Sequence, residues 1–262
     1  MVKSFLEFIF NRLFGKLYNY ISFLAIIILS FIRNLPAGTK SVRKVIYKQI
    51  YFTGVEASRI SIPIGFLMGI VVITQITSFI KGLGGINLVS KIIIVSLIRE
   101  IFPLLMAIIL IARSGTAISS ELALMKINNE IKSLSALNID PMYYLIFSRI
   151  SGFIISFTTI TIFATATSIF SGALSIYFFQ KVTPADFYEN FFMNLNVFDI
   201  FLFLSKCFTF GIIIPTICCF HGLSVQKSTT EIPQVSTKAV MNSFFYVFLL
   251  NVLLDFMVLI WQ

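Results

Sequence analysis

The feature that most constrains this chain is a succession of apolar runs, each long enough to cross a lipid bilayer. Residues 60–80 and 150–179 carry no charged side chain, and 86–112, 198–220 and 239–261 carry only a few charges. A bilayer core of about 30 Å takes about 20 helical residues. Within it every backbone amide must be satisfied by the chain itself, so a spanning segment is a helix or part of a closed barrel. A barrel would show short segments of alternating polarity instead. Of the 262 residues 58% are hydrophobic and 12% charged, against about 25% charged in a soluble domain. The expected fold is all-α and integral to a membrane, one domain over 1–262 with about five transmembrane helices. Residues 1–59 form an interfacial or elbow region, and 60–262 form the bundle.

Charge orients the spans. The formal net charge is +9. With the 40–59 loop inside, the inner segments hold Lys40, Arg43, Lys44, Lys48, Arg59, Arg113, Lys126, Lys132, Arg149, Lys227 and Lys238. The outer loops hold only Lys81, Lys91 and Lys181. Positive residues collect on the cytoplasmic side, which explains the net charge without nucleic acid. In residues 3–16, Phe5, Leu6, Phe8, Ile9 and Leu13 recur at helical spacing among Lys3, Glu7, Arg12 and Lys16, the pattern of a surface helix. Residues 17–32 are uncharged but short. A span there would leave a basic cluster on each side, so an interfacial elbow on the cytoplasmic side is expected. The scattered charges of the first residues do not read as a cleavable signal peptide. Trp261 fits an interfacial anchor. Cys207, Cys218 and Cys219 show no metal-ligand spacing, and His221 is the only histidine; no cofactor is expected. No P-loop is present, so ATP use requires a separate subunit.

The longest hydrophilic stretch between spans is 113–149. Ser119, Ser120 and Glu121 open a helical pattern running to Leu137, with Leu122, Met125, Ile131 and Leu134 as its apolar residues. Asn138 suits a left-handed C-cap, and Asp140-Pro141 suits an N-cap followed by Pro at the first helical position. The pattern alone fits either a structured loop or a docking element. In the outer loop, Pro184 marks the start of a short helix.

The string Arg113, Gly115, Thr116, Ala117, Ile118, Ser120, Glu121, Leu122, Met125, Lys126, followed by Leu134, Ile139, Asp140, Pro141 and Arg149, resembles the permease family of Mla-type ABC lipid transporters. These MlaE-like subunits work with MCE-domain lipid carriers. Upstream, Leu97, Arg99, Glu100 and Pro103 resemble the family's L-x-R-E-x-x-P. The chain departs from the family pattern at Ala123, Lys132 and Asn138, and through much of the loop 221–238. The resemblance implies a homodimeric permease of a bacterial inner membrane that moves phospholipid, driven by an ABC ATPase subunit. It implies that 119–137 is a coupling helix, with Arg113, Glu121, Leu122, Met125, Lys126 and Asp140 as the ATPase-coupling residues.

Four charges fall well inside the spans, away from their ends: Arg99, Glu100, Lys206 and Asp255. At 1.5 Å per residue they lie at comparable depths, roughly 16 Å for Arg99, 12 Å for Lys206 and 9 Å for Asp255 below the outer ends. A charge at mid-bilayer costs about 2.5–3.5 kcal/mol. Such groups therefore pair and face the bundle interior or a watered cavity. Two positive and two negative groups allow a neutral cluster. Either the four tie helices together, or they line an outward-facing lipid cavity in which the cationic groups attract phosphate. The alternatives to a transporter are a membrane-embedded lipid-modifying enzyme and a non-transporting scaffold. No nucleophile–base spacing supports the first, and the second needs no buried charge.

Overall fold

A computed structural model describes residues 2–34, 39–80, 86–180, 183–226 and 228–261. The side chains of 2–14, Lys16 and Trp261 lie outside the described residues, and with them the amphipathic pattern of 3–16 and the Trp anchor. Among the described residues all regular structure is helical. Helix α1 is Val2–Asn34 and α2 is Thr39–Ile50. A π-helical turn, Tyr51–Val55, joins α2 to α3, Glu56–Ile80. Next come α4, Ile86–Ile93, a π-helical stretch Ile94–Ile101, α5, Phe102–Leu110, a π turn Ile111–Gly115, and α6, Thr116–Ile127. The short α7 is Glu130–Ala136. After the π segment Met142–Phe147 come α8, Ser148–Gln180, α9, Pro184–Asn194, α10, Val197–Gly222, and α11, Ile232–Trp261.

Five of these runs are long and apolar enough to cross a membrane: Val42–Phe79, Val89–Ile127, Met142–Phe179, Val197–Gly222 and Thr229–Ile260. The number matches the expectation from apolar runs. The ends do not, because helix continues past the last apolar residue. The boundary expected at residue 59 falls inside the run Val42–Phe79. Charges stop a hydropathy pattern, but they do not stop a helix.

The centre of the bundle is aromatic and aliphatic, with Leu97, Phe102, Met106, Phe153, Phe157 and Phe210 fully buried. Helices α3 and α8 approach through small residues. A Cβ on Gly65 would sit 2.7 Å from the Ala164 carbonyl oxygen, and one on Gly69 would collide with the Ser168 backbone. Ser171 Oγ donates across the seam to the Phe66 carbonyl at 2.7 Å. This is the close backbone approach that small residues permit in membranes. The hydroxyls of α8 are satisfied along their own helix: Thr161 and Thr165 bond carbonyls four residues back, and Ser168 one three back.

The second half of α1 packs against the end of α10 and the segment before α8. Tyr20 and Phe23 meet Phe220 edge-on. Phe31 stacks on Phe147, and Ser30 Oγ donates to Asp140 Oδ2. These partners sit at the end of α10 and in the segment that leads into α8. Thr183 caps α9 with Pro184 at its first turn, and Phe187 and Phe191 are buried, as the Pro184 signal implies.

The segment 113–149 departs from expectation. No helix starts at Ser119; α5 continues through the π turn into α6. The expected single helix to Leu137 is broken at Asn128–Asn129, where Asn129 takes a left-handed φ of 58°. Asn tolerates that conformation better than other side chains with a Cβ. Its amide closes the turn on the Lys126 carbonyl at 3.1 Å. Asn138, φ 59°, ends α7 as expected. The Ile139 amide reaches back to the Leu134 carbonyl at 3.0 Å, a Schellman closure. Asp140 Oδ1 accepts the Met142 amide at 2.9 Å, the cap the sequence indicated.

Candidate functional site

Three of the four intramembrane charges meet. Lys206 Nζ, on α10, donates to Glu100 Oε1 at 2.8 Å, to Asp255 Oδ1 on α11 at 2.5 Å, and to the Arg99 carbonyl at 3.0 Å. An ammonium has three donors, and all three are placed. Pro103, which has no N–H, lies in the first turn of α5, just after the π-helical stretch that carries Arg99 and Glu100. Asn251, one turn before Asp255, joins both acids: its Nδ2 donates to Glu100 Oε2 and to Asp255 Oδ2, each at 2.9 Å.

Arg99 leaves this group. Its guanidinium pairs with Asp199 and lies 5.8 Å from the Phe198 ring centroid, within cation–π range. Asp199 also accepts the Asn196 amide at 3.0 Å in the capping box that starts α10. One neutral cluster of four is therefore corrected to two groups. The reason is reach: Arg99 and Glu100 are adjacent on a helix, so their side chains diverge, and Arg99 points to the α10 start. Asp199 and Asn251 were missed, although spacing held a signal. Asp199 precedes Lys206 by two helical turns, and Asn251 precedes Asp255 by one, so each pair shares a face.

The order of burial matters. The Lys206 side chain is 0% exposed, Asp199 3% and Arg99 16%, whereas Glu100 and Asp255 are 35% and 37% exposed. The acids, not the ammonium, occupy the open side. This corrects the expectation that Lys206 is presented to phosphate: it lies behind the acids with every donor used. A separate apolar cavity of about 510 Å³ lies among α8, α9 and α10, lined by residues such as Ile98, Ile169, Phe191 and Phe203. None of the four charges lines it.

The residues expected to couple an ATPase form braces at the basic end. Arg113 pairs with Glu56 at 2.9 Å, donates to the Phe52 carbonyl at 2.9 Å and lies over the Phe52 ring. Glu121 pairs with Arg149 at 3.0 Å, and Arg149 also reaches Met125 Sδ at 3.8 Å. Lys126 Nζ donates to the Leu223 carbonyl, tying α6 to the loop after α10. That loop, the part least like the family pattern, docks Val225 against Ala123 and Val235. Leu122 is fully buried and Met125 partly so. The Leu122/Met125 face is therefore internal, a correction to its reading as a docking face. What projects is α7, which buries no residue, and beside it Leu124 and Leu137, both exposed. Asp140 holds the turn after α7 and the Ser30 hydroxyl of α1. His221 Nε2 lies 2.8 Å from both Tyr20 Oη and Asn242 Nδ2, at the basic end and remote in sequence and depth from the intramembrane acids.

Residues 46–257 match the profile of the family described as Permease MlaE. A probable ABC transporter permease protein of Rickettsia typhi is 26% identical over 209 residues, 80% of this chain and 81% of the relative. Probable ABC transporter permease proteins of Pyropia yezoensis and of a Synechocystis species are each 24% identical, covering 80% of this chain and 80% of their own length. The match spans the intramembrane charges, the braces and the segment between them, and the chain belongs to the MlaE permease family.

Proposed function

We propose that the chain is the membrane subunit of an ABC transporter that moves phospholipid between the inner and outer membranes of a bacterium, maintaining outer-membrane asymmetry. Two copies enclose the lipid chamber, a separate ATPase subunit supplies the energy, and an MCE-domain protein exchanges lipid at the outer side. The chain itself carries no ATPase site. The observation that carries the reading is the partial exposure of Glu100 and Asp255 on a membrane-spanning face. A carboxylate turned to acyl chains costs several kcal/mol. A chamber shared with a second copy removes that cost, because it holds water and headgroups. Family membership supports the transporter class.

The mechanism follows from one unbroken helical run. Val89–Ile127 carries Glu100 in its membrane part and Glu121 at its basic end. An ATPase that grips α7 and the adjoining turn moves α6. The Arg113–Glu56 and Arg149–Glu121 braces pass that motion to α3 and α8. The π segments Ile94–Ile101 and Ile111–Gly115 are where this run yields, since π turns are weaker points of a helix ladder. Repacking there changes the chamber's shape around the acids. The test is reconstitution with the ATPase subunit and an MCE acceptor, following labelled phospholipid. ATP-dependent transfer, lost in Leu137→Glu together with ATPase co-purification, is the expected result. An assembled complex that hydrolyses ATP and transfers no lipid overturns the proposal.

A further inference from the structure

We infer that the open side of the Glu100–Asp255–Asn251 group receives the primary ammonium of a lipid headgroup, so that the cargo is an amine-bearing phospholipid. This rests on the chamber proposed above and deepens it. The first ground is charge. With Arg99 taken by Asp199, one ammonium stands against two carboxyl groups, a formal excess of one negative charge. That charge lies toward the opening, because Lys206 is buried behind the acids.

The second ground is hydrogen bonding. All three Lys206 donors are placed. Both Asn251 N–H groups are placed on the acids. Asn251 is only 7% exposed, and its Oδ1 is buried with no partner. What the group has left to offer is acceptors. An anionic phosphate finds no donor here, whereas a ligand that brings positive charge and N–H groups satisfies both deficits. A primary ammonium brings three donors; a trimethylammonium brings the same charge with none. A glycerol headgroup brings hydroxyls without the charge. Ethanolamine lipid is therefore preferred over choline lipid and over glycerol lipid of equal chains.

The test reconstitutes the complex in vesicles of equal phosphatidylethanolamine, phosphatidylcholine and phosphatidylglycerol, re-extracts it and weighs the retained lipids by mass spectrometry. The wild type enriches phosphatidylethanolamine about tenfold, the scale of one charge-assisted hydrogen bond. Glu100→Gln and Asp255→Asn each cancel the leftover charge while leaving Lys206 an acid, and each returns retention to the membrane ratio. A wild-type arm needs no variant: N-acetylated phosphatidylethanolamine, which has lost its ammonium, is no longer enriched. Retention in membrane proportion, enrichment of phosphatidylglycerol, or enrichment that survives both variants or N-acetylation overturns the inference while ATP-dependent transfer persists. Absence of retained lipid together with absence of transfer overturns the permease proposal itself.

Discussion

Between α3 and α8 the bundle closes on glycine and serine, whereas between α10, α11 and the 94–101 segment it closes on charge. The first seam brings backbones so close that a Cβ at Gly65 or Gly69 has no room. The α8 hydroxyls of this seam are spent on carbonyls of the same or the facing helix, while Ser61 Oγ of α3 is buried without a partner. The second seam has long side chains, two acids exposed by about a third, and an unpartnered amide oxygen. A seam that only holds helices together is best made the first way. Buried ion pairs contribute little net stability compared with apolar packing, so stability alone does not account for the second seam. On the function proposed above, the charged seam is the working one and the small-residue seam the support.

The comparison can be broken at either seam. The largest effect is expected from Lys206→Met, which leaves two acids without their cation: about 3–5 kcal/mol for breaking a buried pair, read as loss of monodisperse protein in detergent and a lowered Tm. Wild-type thermal stability would mean that the acids do not depend on Lys206. Next comes Gly69→Leu. Overpacking costs about 1–3 kcal/mol or more, and here the obstruction is the Ser168 backbone, which cannot rotate away. A Tm unchanged by that substitution would show that the α3–α8 approach is looser than described. The Arg99–Asp199 pair is smaller. A double-mutant cycle of Arg99→Met and Asp199→Asn should give a coupling of about 1–2 kcal/mol; additive effects would dissolve the second ion pair. The smallest effect is at the basic end. Asn129→Ala should cost about 1 kcal/mol for a left-handed residue, and Asn129→Gly nothing measurable. Equal stability of the two would deny the break between α6 and α7.

The two seams were unequally legible in the sequence. Five spans could be counted because hydrocarbon accepts only long apolar runs, and each run announces itself locally. Their ends could not, since α2, α6 and the start of α8 carry Arg43, Lys126 and Arg149 on helices that continue beyond the apolar stretch. That Glu100, Lys206 and Asp255 would meet followed from depth and charge. That Arg99 would leave them for Asp199 depended on the direction of one side chain at an α10 start, which spacing along a single helix does not report. The unbroken coupling helix was a similar error. Residues 119–137 hold helical periodicity on both sides of Asn128–Asn129, and only the left-handed backbone at Asn129 reveals the kink.

The most direct test of the charged seam's purpose neutralises it whole. The triple variant Glu100→Gln, Lys206→Met, Asp255→Asn leaves no unpaired ion, so it should fold and assemble with a Tm close to the parent's. Assayed with its ATPase subunit for ATP-dependent phospholipid transfer, it is predicted to hydrolyse ATP and transfer no lipid. Transfer at the parent rate would contradict the account, reducing the charges to helix braces.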